Sequence, residues 1–207
     1  MREIGLYFGS FNPIHIGHLM VANYAIEHFN LDELHLIVSP QNPFKEQKDL
    51  LHTYYRLEIC KLAAQKNNKI IVNDIETKLP IPSYTTNTIQ ALEKQFYNCN
   101  FHIIMGIDNF LTLSSWKDVQ NILKHHLIVF PRVNNDEGVD LSILFNDALK
   151  TLQNDFGEVN ATFVDNGIVN NLSSTFIRNE IKNDKSIQYY VTDCVEKYIK
   201  ENNFYKN

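Results

Sequence analysis

The sequence predicts an α/β fold, a doubly wound parallel sheet of Rossmann-like type. Two observations lead there. Six short apolar runs have the length of buried strands: EIGLYF (3–8), LHLIVS (34–39), IIVND (70–74), FHIIMGI (101–107), HLIVF (126–130) and ATFVD (161–165). Between them lie segments with helical spacing, and strands that alternate with helices call for a parallel sheet covered on both faces. Right-handed crossovers then wind that sheet in both directions.

Each element has a local reason. The first strand ends at a turn, GSFNPIH (9–15), which Gly9 opens and where Pro13 biases Asn12 away from helix. From Ile16 to about Phe29, the residues Leu19, Met20, Ala22, Ala25, Ile26 and Phe29 share one helical face. Pro40 stops the second strand, and 40–50 is a polar loop. A helix over 53–66 starts with Thr53 as a plausible cap. After the third strand, Pro80 and Pro82 mark a loop, followed by a helix near 85–97. Short helical segments over 109–124 follow the fourth strand, and Pro131 ends the fifth. Residues 133–140 read as a surface loop expected to be mobile, and 140–154 as a helix. Helices near 174–183 and 189–203 close the chain.

Length and composition narrow the function. A chain of 207 residues suits one domain, 1–207, with a single sizeable core. Lys and Arg number 19 against 24 Asp and Glu, a net charge of −5 with only four arginines. That balance argues against electrostatic binding of nucleic acid, but leaves room for a local cationic pocket and a small phosphate ligand. No apolar run approaches the ~20 residues of a membrane span. Cys60, Cys99 and Cys194 are widely spaced, so neither a disulfide framework nor a zinc site is indicated. The expectation is a cytoplasmic protein with three reduced thiols and no dedicated metal site.

In an open parallel sheet, ligands sit beyond the carboxyl ends of the strands. GSFNPIHIGH (9–18) begins there and runs into a helix, whose first backbone N–H groups attract anions. His15 and His18, three apart, can face the same end of that helix. Two imidazoles there could donate to a phosphate as its charge redistributes. The competing reading is a glycine turn with two structural histidines. A second anion signal is LSSTFIR (172–178): Ser173, Ser174 and Thr175 supply hydroxyls at a helix start, and the Arg178 guanidinium can fork two phosphate oxygens. Taken alone, this could be an ordinary helix cap beside a surface arginine.

The segment at 9–18 resembles the His-x-Gly-His signature of the nucleotidyltransferase superfamily, and 173–178 its Ser-Ser-Thr-x-x-Arg element. The resemblance implies attack on the α-phosphate of ATP, with the C-terminal helices of about 174–203 closing the ATP site. Gly9, Ser10, Phe11, Gly106, Asp108, Ser173, Ser174 and Thr175 are then expected at ATP, with Asp108 accepting from ribose hydroxyls. His15, His18, Lys45 and Arg178 are the candidate catalytic residues. Mg²⁺ is expected with ATP, held mostly by substrate oxygens and water.

Three middle segments bear on the acceptor. Lys45, in PQNPFK (40–45), could neutralise a phosphate, or be a solvated loop lysine. Tyr84, Thr85 and Thr86 stand at a helix start able to bind a carboxylate through backbone N–H groups, or merely to cap the helix. Trp116, the one tryptophan, could stack on a flat heterocycle or lie in the core; Lys117, beside it, is expected to point away from such a ring. These segments resemble bacterial nicotinate-nucleotide adenylyltransferases along essentially the whole chain. The resemblance implies nicotinate mononucleotide as acceptor, with Tyr84, Thr85, Thr86, Trp116 and Lys117 around it and Lys45 at phosphate. Asn12 stands where that family often has Asp, so no negative charge is available at that position. Arg132, after the fifth strand, is a further candidate phosphate contact. Arg56, inside a helix, reads as structural, as do His125 and His126. A homo-oligomer is compatible with the sequence. The rival readings are another adenylyltransferase, such as pantetheine-phosphate adenylyltransferase, a non-enzymatic nucleotide-binding module, and a synthetase fragment.

Overall fold

A computed structural model describes residues 1–41, 50–131, 140–165 and 172–206. Six strands, β1 (Arg2–Gly9), β2 (Glu33–Val38), β3 (Ile70–Asn73), β4 (Cys99–Gly106), β5 (His126–Phe130) and β6 (Ala161–Phe163), form one sheet. Their order is β3-β2-β1-β4-β5-β6, and every pair is parallel. The chain therefore winds outward from β1 to one edge, then returns to start again at β4 beside β1. That reversal opens a crevice beyond the carboxyl ends of β1 and β4, where ligands bind in such sheets.

The helices are α1 (Ile16–His28), α2 (Thr53–Ala64), α3 (Thr85–Gln95), α4 (Ile107–Phe110), α5 (Val119–Ile122), α6 (Leu141–Phe156), α7 (Ser174–Lys182) and α8 (Asp193–Glu201). Side-chain alternation along the strands divides the interior in two. Leu36, Val38, Ile104, Ile128 and Phe130 join Ala25, Ile59, Ile177 and Val195 on one face. Ile4, Leu6, Ile37, Ile103, Met105 and Val129 join Ile89, Leu92, Phe110 and Phe145 on the other. The strand residues buried on both faces explain why the sequence shows unbroken apolar runs rather than polar alternation.

Several boundaries differ from the sequence-based expectation, and the cap of α2 is His52, whose Nδ1 accepts the Tyr54 N–H at 3.3 Å, not Thr53, which is the first helical residue. The last helix begins at Asp193, not near 189, because Tyr189 takes a left-handed backbone (φ 68°) and Gln188 bridges to Val191. β6 stops at Phe163; it is an edge strand paired with β5 alone. A 3-10 turn at Ile75–Lys78 was not anticipated. The expected mobile loop at 133–140 lies outside the described residues except for Asp140, whose carboxylate caps α6 by accepting the Ser142 N–H at 2.9 Å.

Candidate active site

The turn after β1 carries both histidines to the crevice. Gly9 ends the strand with no side chain because the Phe11 ring occupies that space: a Cβ there would sit 2.8 Å from it. Phe11 itself has a left-handed backbone (φ 46°) and is 2% exposed. Its ring meets His18 edge-on, with centroids 5.1 Å apart. The Phe11 side chain, expected at ATP, is instead an enclosed wall that orients His18.

His15 is the N-cap of α1 and is buried. The His15 and His18 rings stack with centroids 3.7 Å apart. The His15 backbone N–H donates to His18 Nδ1 at 3.2 Å. An acceptor nitrogen carries no hydrogen, so a neutral His18 holds its proton on Nε2. The Ile16 amide, expected to face an anion, donates instead to the Tyr190 carbonyl at 2.9 Å. The chain's own C-terminal segment thus occupies that amide, and donation to a ligand falls to the imidazoles.

The second motif docks directly on this turn. Ser174 Oγ donates to the Pro13 carbonyl at 2.8 Å. Arg178 Nη1 donates to the Asn12 carbonyl at 2.9 Å, and Nη2 to Thr175 Oγ1 at 3.3 Å. Ser173 caps α7 by accepting the Phe176 N–H at 3.1 Å. Residues 161 and 166 positions apart therefore share one surface. All three expected phosphate hydroxyls are engaged within the protein: Ser173 as the cap of α7, Ser174 on the Pro13 carbonyl and Thr175 as acceptor from Arg178.

Across the crevice, Gly106 is the N-cap of α4, and Asp108 is exposed in its first turn. Trp116 is half-buried at the rim of the second core, with Nε1 3.4 Å from Thr112 Oγ1. Tyr84 precedes α3, and its side chain makes no capping bond to that helix. Lys117 Nζ lies 4.4 Å from the centroid of the Tyr84 ring, a cation–π contact joining the Trp116 turn to the α3 start. Thr86 is 1% exposed, so its hydroxyl is not offered to a ligand. It donates to Asp118 Oδ2 at 2.9 Å and accepts from Asn121 Nδ2 at 3.2 Å. Asp118 and Asn121 were missed in the sequence, since nothing in local spacing ties them to a residue 32 and 35 positions away. Beneath the same helix, buried Glu76 accepts the Thr88 hydroxyl at 2.8 Å. Burial pushes its carboxyl above the usual range, with the Thr88 hydroxyl pulling the other way.

Arg56 is fully buried at 0% exposure. It donates to the carbonyls of Leu51 at 2.7 Å, Ser10 at 2.6 Å, Ser39 at 2.8 Å and Pro40 at 3.2 Å, and to Thr53 Oγ1 at 3.0 Å. One guanidinium thus ties the turn after β1 to the end of β2 and the approach to α2. Asn12 assists: its Oδ1 accepts the Leu51 N–H at 3.1 Å. Lys45 and Arg132 lie outside the described residues. Among the described residues, no three His, Cys, Asp or Glu side chains converge as a metal site. The imidazole, hydroxyl and guanidinium groups gathered here suit an anion rather than a hard cation, which prefers oxygen ligands.

Residues 6–180 match the family described as Cytidylyltransferase-like. A probable nicotinate-nucleotide adenylyltransferase of Flavobacterium psychrophilum is 42% identical over 205 residues, covering 99% of both chains. One of Flavobacterium johnsoniae is 41% identical over 206 residues, again at 99% of each. The chain belongs to the nicotinate-nucleotide adenylyltransferase family. Among solved structures, the nicotinic acid mononucleotide adenylyltransferase of Plasmodium falciparum complexed with NaAD superposes with a TM-score of 0.77. That match covers 99% of this chain and 98% of the other at 19% identity, a likeness of fold.

Proposed function

We propose that the protein transfers the adenylyl group of ATP to nicotinate mononucleotide, releasing pyrophosphate and forming nicotinate adenine dinucleotide for NAD synthesis. The observation that carries this reading is the docking of Ser174 and Arg178 onto the turn that bears His15 and His18. Imidazole and guanidinium groups thereby meet at the crevice beside β4. A 5′-phosphate oxygen of the acceptor attacks the α-phosphorus in line. The bond from that phosphorus to the bridging oxygen of the β-phosphate breaks, and pyrophosphate departs with the electron pair. No covalent enzyme intermediate is needed; positioning and charge stabilisation carry the step.

In this reading His18 Nε2–H and His15 donate to the α- and β-phosphate oxygens. Arg178 turns its fork from the Asn12 carbonyl to the departing pyrophosphate, with Thr175 beside it. Lys45 and Arg132 contact phosphate, while Asp108 takes ribose hydroxyls and the Gly9–Ser10 and Gly106 backbone lines the nucleotide. The magnesium ion is part of the nucleotide substrate, held by phosphate oxygens and water.

The pyridine ring stacks on Trp116, and its carboxylate meets the N–H groups at Thr85 and Thr86. A carboxamide would turn its own N–H₂ against those donors, leaving one unsatisfied at ~1–3 kcal/mol, or roughly 5- to 150-fold. The test is pyrophosphate release from ATP and Mg²⁺ with a panel of phosphate acceptors. Nicotinate mononucleotide should give the highest kcat/KM and exceed nicotinamide mononucleotide by that factor. Turnover of phosphopantetheine in its place would overturn the assignment of the acceptor.

A further inference from the structure

The chain beyond α8 is fixed in an unusual way. Phe204 N–H donates to the Ile199 carbonyl at 3.1 Å and Asn203 N–H to the Lys200 carbonyl at 3.2 Å. With Asn203 left-handed (φ 52°), this is a Schellman closure. Phe204 then anchors the tail, its ring 4.8 Å from Tyr55 and 5.7 Å from Tyr198. One residue later Tyr205 is left-handed again (φ 64°), a costly conformation for a bulky side chain. The outcome is a phenol laid against the first core, which includes Ile177 next to Arg178.

Two polar atoms are stranded in this region, near enough for the charge of Arg178 to act on the Tyr205 phenol. Tyr205 Oη and Arg178 Nε are both buried, with no hydrogen-bond partner among the described residues. They are complementary: Nε–H can only donate, and a phenol oxygen can accept. The charges of Arg56 and Arg178 both act on the phenol, yet burial keeps it above its ordinary range, so it remains a neutral hydroxyl. A phenylalanine would fill this space without a dry, unsatisfied hydroxyl.

We propose that Tyr205 is a positioning residue for Arg178. Its hydroxyl oxygen accepts the Arg178 Nε–H when the guanidinium leaves the Asn12 carbonyl for the phosphate oxygens of ATP. Held at Nε, the fork presents both terminal nitrogens to the leaving pyrophosphate. The inference rests on the phosphate role given to Arg178 above.

The test is Tyr205→Phe, alone and combined with Arg178→Lys, with Tm, kcat and both KM values measured. Tyr205→Phe should keep or raise Tm, since it removes an unsatisfied group. It should lower kcat about tenfold, the loss of one hydrogen bond to a charged group, with KM for nicotinate mononucleotide unchanged. Added to Arg178→Lys, it should cause no further loss, because the two act as a unit. A wild-type kcat in Tyr205→Phe, or the same fold loss in both backgrounds, would overturn the proposal. A lowered Tm with kcat and both KM values degraded together would assign Tyr205 a purely structural role. If Arg178→Lys itself has wild-type kinetics, the phosphate role of Arg178 fails, and the proposal with it. If that variant is impaired while Tyr205→Phe is not, only the Tyr205 proposal fails.

Discussion

Replacing Arg56 by methionine should destabilise the fold and loosen both halves of the crevice. Methionine has about the length of the arginine stem but no donor, so the carbonyls of Leu51, Ser10, Ser39 and Pro40 each lose a bond of 2.6–3.2 Å. Bonds from a charged donor contribute ~1.5–3 kcal/mol each, but the variant also escapes the cost of burying a guanidinium. The carbonyls nearer the surface can turn to water. That of Ser39 takes part in a fully buried bond and cannot do so without the fold opening. One dry acceptor at ~1–3 kcal/mol, plus partial loss at the others, gives a net of about 3 kcal/mol. At ~2–4 °C per kcal/mol for a domain of this size, Tm should fall by roughly 6–12 °C in calorimetry. Because Ser10 and Pro40 flank the crevice, KM should rise for both substrates. Arg56→Lys should fall between the two proteins, since an ammonium cannot span the same acceptors with a planar fork. A methionine variant that melts within ~2 °C of wild type, with both KM values intact, would refute this account.

Three further outcomes follow from the geometry. His18→Ala should lower kcat by ~10²-fold or more with an unchanged circular dichroism spectrum, as expected for losing one preorganised donor; near-normal turnover in a folded variant would remove His18 from the chemistry. Gly9→Ala should force the Phe11 ring away from a contact of 2.8 Å and cost ~1–3 kcal/mol in a urea titration; an unchanged midpoint would show that the ring yields freely. Cys60 is buried and its thiol is pushed far above the usual range by that burial, so alkylation of the folded protein at pH 8 should spare it while Cys99 and Cys194 react. Labelling of Cys60 without denaturant would show that α2 opens readily.

The layered sheet was legible because burial on both faces writes itself into the chain as apolar runs such as LHLIV in β2 and HLIVF in β5. The paired motifs were legible because histidines and a Ser-Ser-Thr-x-x-Arg run are chemically conspicuous. What stayed hidden were partnerships between a side chain and a distant backbone. Nothing around Arg56 announces that it holds the Ser10 carbonyl 46 residues away. Thr86 reads as a ligand contact until Asp118 and Asn121 are seen to occupy its hydroxyl. Tyr189 is a bulky residue with a helix on its C-terminal side, so its left-handed backbone ran against local preference. Tertiary contacts decided these positions, and periodicity carries no record of them.

The turn between β1 and α1 is clasped by Ser174, Arg178 and the Tyr190 carbonyl, all from the far end of the chain. During synthesis, both histidines leave the ribosome long before the groups that fix them, whose partners lie 161 and 166 positions apart. Until they arrive, a nascent chain carries the reactive side chains in an unformed setting. A cut before Ser174 would silence the protein while leaving every strand and both imidazoles untouched.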